Sequence, residues 1–293
     1  MTRQWSVLAA FGISFLFFGS VGCNNPSASG PVTVEETYRH ERPAWSPNGL
    51  KIAFTVRTQD SAGVYVVDST GANMRLVKSG AGIGITWSPD SRWIAFSISG
   101  SLFKILENGD SLTQLTTNAS DYRPSWSPDG KRIAYVNTGI RALNVQDSTI
   151  MNLVPYGEYP SWHPNSTDVL FLVFAQAGNN RYFNEFRTIS LADSQETIQF
   201  SFFSDALAGF SSFNNDGTAI LMSVKPPDLR GLSQIVVGSL VDITLSQLTV
   251  DGGDYPAWSP DGTKIVYMRS ALGDGGLWIM NANGLGKHRL TTP

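Results

Sequence analysis

The sequence contains few of the residues that build disulfides, histidine metal centres or nucleic-acid surfaces. It has one cysteine, Cys23, which excludes a disulfide within the chain. It has three histidines, whereas a catalytic zinc site uses about three protein ligands in which histidine is prominent. Lysine and arginine total 21 against 24 acidic residues, without a basic run. A histidine-based metal centre and a nucleic-acid partner are therefore both disfavoured.

Sequence motifs of several enzyme classes are also missing. There is no GxSxG, so a serine peptidase that uses this nucleophile motif is not supported. There is no GxGxxG and no phosphate-binding glycine loop. We therefore expect no cofactor and no metal, and acidic residues remain the groups from which catalytic chemistry could be built.

The N-terminus combines a short positive start, Met1-Thr2-Arg3, with an apolar run over residues 7–18. This pattern is typical of a secretory signal peptide and is short for a membrane span. Cys23 follows Ser20-Val21-Gly22 and resembles the cysteine of a bacterial lipobox, although Ser20 stands where leucine is usual. We expect residues 1–22 to be removed, Cys23 to carry lipid, and residues 23–31 to form a polar tether. The alternative is ordinary cleavage, which leaves a soluble exported protein.

One short unit dominates the remainder of the chain, and its clearest copy is residues 123–135, RPSWSPDGKRIAY. Residues 123–127 read as the first strand, with Trp126 as its large side chain. Ser127-Pro128-Asp129-Gly130 has type I turn chemistry followed by a glycine suited to positive φ. The alternation that follows predicts a second, antiparallel strand.

The unit occurs six times, and the copies are 36 to 51 residues apart. The aromatic anchors of the copies are Trp45, Trp87, Trp126, Trp162, Phe213 and Trp258. Repeats near 40 residues made of short strands indicate β-propeller blades. We predict an all-β, six-bladed propeller of four-stranded antiparallel blades over residues 32–293. Val32-Thr33-Val34 could add a strand to the outside of the last blade, and the sequence leaves this open.

The repeated PxWSPDGxxIAF pattern resembles the PD40 (WD40-like) repeat of TolB-type six-bladed propellers. The resemblance covers residues 32–293 and is carried by six copies. It implies a non-catalytic exported scaffold, which binds an envelope protein partner on its loop-rich face. Together with Cys23, it implies a lipoprotein of the bacterial cell envelope, facing the periplasm or the cell exterior.

Topology points to one face of the propeller as the binding face. The tight turns occupy one end of the blades, and the irregular segments, residues 175–185 and 225–232, occupy the other. Residues just before each innermost strand should ring the mouth of the central channel at this second end, where loops on a rigid scaffold carry binding residues. The candidate partner-binding residues are Glu41, Arg42, Asp121, Tyr122, Arg123, Glu158, Tyr159, Phe210, Asp254 and Tyr255.

Two functions from different classes fit these residues. One is the binding scaffold, since tyrosine and arginine are enriched at interface hot spots. The other is a polysaccharide hydrolase or lyase that uses the acidic residues at the channel mouth. A catalytic carboxylate should lie unpaired in a pocket with a raised pKa, whereas a docking face should have paired charges beside exposed aromatic side chains.

Overall fold

Six antiparallel β-sheets follow one another along the chain, and each consists of four consecutive strands. The computed structural model describes residues 39–57, 62–80, 82, 84–176, 182–204, 207–225, 232–269 and 276–292. These residues belong to one compact unit, Thr37–Pro293, and every regular element among them is a strand. The predicted fold, a six-bladed propeller with four-stranded blades, is confirmed.

The strands occupy equivalent places in the six blades, here in blade order. The innermost strands are β1 (Arg39–Trp45), β5 (Ile85–Trp87), β9 (Tyr122–Trp126), β13 (Glu158–Trp162), β17 (Leu207–Phe213) and β21 (Asp254–Trp258). The second strands are β2 (Lys51–Arg57), β6 (Trp93–Ile98), β10 (Arg132–Val136), β14 (Asp168–Gln176), β18 (Ala219–Lys225) and β22 (Lys264–Met268). The third strands are β3 (Ala62–Asp68), β7 (Ser101–Leu106), β11 (Ile140–Asn144), β15 (Tyr182–Ser190), β19 (Gln234–Ser239) and β23 (Leu277–Asn281). The outer strands are β4 (Arg75–Ser79), β8 (Thr113–Gln114), β12 (Ile150–Val154), β16 (Glu196–Ser204), β20 (Leu245–Gln247) and β24 (His288–Arg289).

The turn between the first two strands of a blade has the chemistry that the sequence predicts. In blade three the N–H of Gly130 donates to the carbonyl oxygen of Ser127 at 2.9 Å, and Gly130 has φ 75°. The hydroxyl of Ser127 donates to Asp129 Oδ1 at 2.7 Å and accepts from the N–H of Arg132 at 2.9 Å. Ser127 is 1% exposed, so a buried hydroxyl fixes the turn and the start of the second strand together.

Among the described residues, six hydrophobic clusters form the core, one between each pair of neighbouring blades. Trp126, for example, packs with Ala95 and Leu102 of blade two. Blades six and one meet in the same way, through Phe54, Val266 and Leu277. This contact closes the ring, as the positions of the first and last anchors predict. Among the described residues, no strand is shared between these two blades.

Blade four differs from the sequence prediction. Residues 175–185 were expected to form a long irregular connection, but strands β14 and β15 extend into this segment. Ala175 pairs with Phe183 and Gln176 with Tyr182, so the ladder continues at the loop-rich end. The second, third and outer strands of blade four, β14, β15 and β16, are each nine residues long. Residues 32–34, the possible extra strand, lie outside the described part of the chain.

Candidate functional site

The innermost strands of blades one, three, four and six share a β-bulge three residues before the aromatic anchor. The register with the second strand shifts at this point in each of these blades. One residue in each bulge has positive φ, a conformation uncommon for residues other than glycine. These four bulge residues are Arg42 (φ 55°), Arg123 (φ 55°), Tyr159 (φ 55°) and Tyr255 (φ 51°). The ladder of blade five also shifts register at the equivalent position, between Gly209 and Ser211.

The bulge residues lie within the innermost strands, whereas the sequence predicted that they precede them. A proline follows each bulge residue in the sequence. Proline cannot donate to the ladder and is tolerated at a bulge, so the strand resumes on the far side. In blade two the equivalent residue is Gly84, with φ 84°. A Cβ on Gly84 would lie 2.8 Å from Arg123 Cα, so blade two has no room for a side chain at this position.

Arg123 is the centre of a group of side chains from blades three and four. Its guanidinium lies over the ring of Tyr159, with Cζ 3.9 Å from the centroid, and over Tyr122 at 5.2 Å. Nη2 donates to the Tyr159 hydroxyl at 3.2 Å, and Nη1 forms an ion pair with Glu158. The Tyr122 hydroxyl donates to the other Glu158 oxygen at 2.9 Å. The carboxylate of Glu158 is therefore paired and hydrogen-bonded.

Burial shifts the titration of the two tyrosines in this group. The pKa of Tyr122 is raised by burial first and by its hydrogen bond to the Glu158 carboxylate second. Burial also raises the pKa of Tyr159, against the opposing charge of Arg123. Both phenols therefore stay uncharged well above neutral pH.

Arg42, Asp254 and Tyr255 form a second group, built from blades one and six. The Arg42 guanidinium lies 5.1 Å from the centroid of the Tyr255 ring. The Asp254 carboxylate accepts hydrogen bonds from the N–H of Tyr255 at 2.9 Å and from the Ser233 hydroxyl at 3.3 Å. Burial raises the pKa of Asp254, while hydrogen bonds, including one from Ser223, and the charge of Arg42 oppose the shift. Asp254 thus has one property expected of a catalytic carboxylate.

The two groups are connected through Tyr159. The charges of Asp254 and Arg42 act on the pKa of Tyr159 in opposite directions, so both lie within electrostatic range of its hydroxyl. That hydroxyl also reaches blade five, where a Cβ on Gly209 would lie 3.6 Å from it. The two groups therefore form one polar and aromatic surface around the ring axis. We call this surface, made of the four bulge residues with Tyr122, Glu158 and Asp254, the channel-mouth face.

Asp121 is separate from the channel-mouth face. It is fully buried, its carboxylate accepts hydrogen bonds from the side-chain amides of Asn118 and Asn137, and its N–H donates to the carbonyl oxygen of Gly100 at 2.7 Å. These bonds link blades two and three, and they leave no surface for a partner to contact. The side chains of Glu41 and Phe210, and Cys23 entirely, lie outside the described part of the structure.

Sequence reasoning missed the residues that support Asp254. Ser223 and Ser233 lie in blade five, and nothing in their sequence spacing relates them to an acidic residue in blade six. Within the described ranges, no three or more His, Cys, Asp or Glu side chains are grouped so that they could hold a metal ion. The same ranges contain no helix long and apolar enough to cross a membrane.

Comparisons with known proteins agree on the fold. The Protein TolB homolog of Chlorobium chlorochromatii is 38% identical over 101 residues, which are 32% of this chain and 23% of that relative. TolB from Acinetobacter baumannii superposes with a TM-score of 0.70 at 17% identity, covering 81% of this chain and 62% of that one. An oligogalacturonate lyase solved in complex with manganese has a TM-score of 0.56 at 14% identity, covering 86% and 77%.

These comparisons differ in sequence identity and in how much of each chain they cover. Both structural matches are below 25% identity and show the fold alone. The alignment to the curated relative spans less than a quarter of that protein's length. A family model described as PD40, TolB beta propeller domain, matches residues 28–197, more than half of the chain. The chain therefore belongs to the TolB β-propeller family.

Proposed function

We propose that this protein is a non-catalytic, exported binding scaffold that docks an envelope protein partner on its channel-mouth face and is anchored to the membrane through lipidated Cys23. Membership of the TolB β-propeller family supports a scaffold. The lipobox-like segment before Cys23 supports export and anchoring.

One observation carries the docking surface: four equivalent bulges present Arg42, Arg123, Tyr159 and Tyr255 around a single axis. Each guanidinium lies over a tyrosine ring, so large side chains are held in place before a partner arrives. Preorganised side chains lose little conformational freedom on binding. Arginine and tyrosine are also the residue types that contribute most at protein interfaces.

The charges of the channel-mouth face fit docking better than catalysis. Glu158 is ion-paired with Arg123 and hydrogen-bonded by Tyr122, which matches the paired charges expected of a docking face. Its side chain is 25% exposed and that of Arg123 is 22% exposed. A partner that covers both side chains therefore buries an ion pair and not an unpaired charge. A buried charge left without a partner would weaken binding strongly.

A polysaccharide lyase or hydrolase is the second candidate. The raised pKa of Asp254 favours it, as does the shared fold with an oligogalacturonate lyase. Incubation of the full chain with oligogalacturonate, followed by chromatography of the products, tests this function. If the wild type degrades oligogalacturonate and Asp254→Asn does not, the lyase or hydrolase function replaces the scaffold proposal.

The scaffold proposal is tested by capture of solubilised envelope proteins on the full chain. We expect a partner retained by the wild type to be lost from the double variant Tyr159→Ala/Tyr255→Ala. Truncating a hot spot costs about 2 kcal/mol or more, so binding should weaken tens-fold. The matched control is Tyr65→Ala, because Tyr65 packs on Phe54 away from the face, with the ring centroids 6.0 Å apart.

Thermal melting separates binding from folding in this experiment. The Tyr65→Ala control should lose stability and keep the partner. A double variant that remains folded and retains the partner as well as the wild type would show that the channel-mouth face is not the docking surface. The end that carries the tight turns would then be the next surface to test.

A further inference from the structure

A cleft of about 310 Å³ opens between blades three and four at the loop-rich end. Its walls are apolar or aromatic over most of their extent, and the residues that matter here are Tyr122, Tyr156, Glu158, Leu172, Val173 and Phe174. Tyr122 and Glu158 also belong to the channel-mouth face. The cleft therefore continues that face outward, between two blades.

Phe174 departs from the repeat in a way that folding does not require. It lies twelve residues after its anchor, Trp162, and the other five copies have a polar residue at this distance. Those residues are Arg57, Ser99, Thr138, Lys225 and Ser270. Phe174 is 47% exposed, at a position of β14 that the second strands β2 and β18 also reach. Tyr156 is also exposed and lines the same cleft, so the exposed aromatic surface is contiguous, which is the kind of surface that marks a binding site.

The cleft is held in shape before anything binds. Gly157 has φ 96°, and a Cβ there would lie 2.6 Å from the Phe171 ring, so the floor stays free of a side chain. The hydroxyl of Tyr156, which is 38% exposed, donates to Glu196 at 2.8 Å and accepts from Arg187 at 3.3 Å. The wall is therefore fixed by hydrogen bonds at its outer edge.

Charge and size together select the class of ligand. Glu158 is the one charged group among the described residues that line the cleft, and Arg123 already neutralises it. A cation would compete with Arg123, and an anion would meet a carboxylate. The volume lies at the lower limit of small-molecule pockets, roughly 300–1,000 Å³. It suits one large side chain better than a cofactor.

We propose that the cleft receives an apolar side chain, leucine, phenylalanine or tryptophan, from an extended segment of the protein partner that docks on the channel-mouth face. This inference rests on the proposed scaffold function, because it takes the partner to be a protein. An apolar anchor in a pocket beside paired charges is the arrangement of an interface hot spot with its polar rim. The anchor contributes affinity, and the channel-mouth face fixes the orientation.

A random dodecapeptide library displayed on phage, selected on the full chain, tests the inference whichever envelope protein is the partner. Enriched sequences should share an apolar residue, and synthetic labelled copies are then titrated by fluorescence anisotropy. Phe174→Ser, which copies Ser99 of blade two, should weaken binding at least tenfold. Ile198→Ser is the matched control, because Ile198 is 57% exposed on β16 of the same blade and lies outside the cleft. We expect this control variant to bind the peptides with a Kd within twofold of the wild-type value.

A double-mutant cycle identifies the contact itself. Replacing the shared apolar residue of the peptide by serine should cause no further loss when Phe174 is already serine, because coupled residues are not additive. Phe174→Thr, which copies Thr138, provides a second variant if Phe174→Ser melts early. Absence of enriched peptides, or equal binding to Phe174→Ser, overturns the inference. Trigalacturonate binding that depends on Phe174 would also overturn it in favour of a saccharide.

Tyr255→Ala distinguishes this inference from the proposed function. Loss of peptide binding in both Tyr255→Ala and Phe174→Ser supports the cleft and the channel-mouth face together. Loss in Phe174→Ser alone keeps the cleft and contradicts docking on the channel-mouth face. Loss in Tyr255→Ala alone keeps that face and refutes the cleft.

Discussion

The anchor residues Trp162 and Trp258 differ in one hydrogen bond. We expect this difference to be measurable in the free energy of unfolding of variants at the two positions. Trp162 is 5% exposed, and its indole Nε1 donates to the carbonyl oxygen of Ser125 in blade three at 2.9 Å. The Nε1 of Trp258 is also buried, but no acceptor lies within reach among the described residues. Replacing either residue by phenylalanine removes the N–H and a similar volume. Trp258 is only partly buried, so the smaller ring costs no more there than at Trp162, and only Trp162 loses a hydrogen bond.

The expected difference follows from hydrogen-bond energetics. Trp162→Phe removes the donor that reaches the Ser125 carbonyl from blade four, and losing a hydrogen bond of this kind costs about 0.5–1.5 kcal/mol. Trp258→Phe removes a buried N–H that has no acceptor among the described residues. Losing this unsatisfied group offsets part of the free-energy cost of the substitution. We expect Trp162→Phe to lower the free energy of unfolding by about 2 kcal/mol more than Trp258→Phe does. For a domain of this size, about 2–4 °C per kcal/mol corresponds to a further loss of roughly 4–8 °C in Tm.

Urea unfolding followed by circular dichroism, with linear extrapolation, measures both free energies on the same scale. Trp162→Ala gives the largest loss of stability expected at this position, because removal of the whole ring and the resulting cavity cost roughly 3–5 kcal/mol. Equal losses for the two phenylalanine variants would show that the bond between blades three and four contributes nothing. A Trp162→Ala variant close to wild type would show that the anchor is not packed between blades.

Two further predictions concern a turn and the N-terminus. Hydrogen bonds from Ser259 and Thr263 lower the pKa of Asp261 to about 2, below its unfolded value, so its stabilising contribution is present at neutral pH and is lost as the pH falls from about 4 toward 2. Asp261→Asn should flatten this part of the stability profile, measured by urea unfolding between pH 7 and pH 2.5, and an unchanged profile would contradict the assignment. Mass spectrometry of the membrane fraction should detect diacylglyceryl-Cys23 with residues 1–22 absent, and Cys23→Ser should release the protein. An unmodified Cys23 in a soluble mature chain would refute the lipobox interpretation.

The fold could be predicted from the sequence because each repeat encodes its own local structure. Ser127 and Asp129 determine a turn within four residues, and Trp126 marks the neighbouring strand. Such signals depend on few distant contacts, so six copies identify six blades. The extension of blade four could not be predicted in this way. The stretch near Gly178 reads as a loop, and only pairs such as Ala175 with Phe183 continue the ladder.

The candidate site could be located from the sequence, but its conformation could not. A residue before proline normally avoids the α regions of φ/ψ space, which favoured an extended entry to the strand at Arg123 and Tyr159. The bulge reverses this local preference because the rest of the blade determines the register. Glu158 was a candidate from its position alone, yet its ion pair with Arg123 requires blades three and four to be assembled. The buried position of Asp121 depends in the same way on Asn137.

The closure of the ring has a mechanical consequence. Where a propeller closes by sharing a strand, opening that seam breaks a backbone ladder. Here the described contact between blades six and one consists of side chains such as Phe54 and Val266, the same kind of contact that joins every other pair of blades. Within the described residues, the ring therefore consists of six blade-to-blade joints of similar kind. A force that pulls blades apart, or a denaturant that weakens apolar contacts, should open the joint with the smallest buried cluster, wherever it lies in the chain.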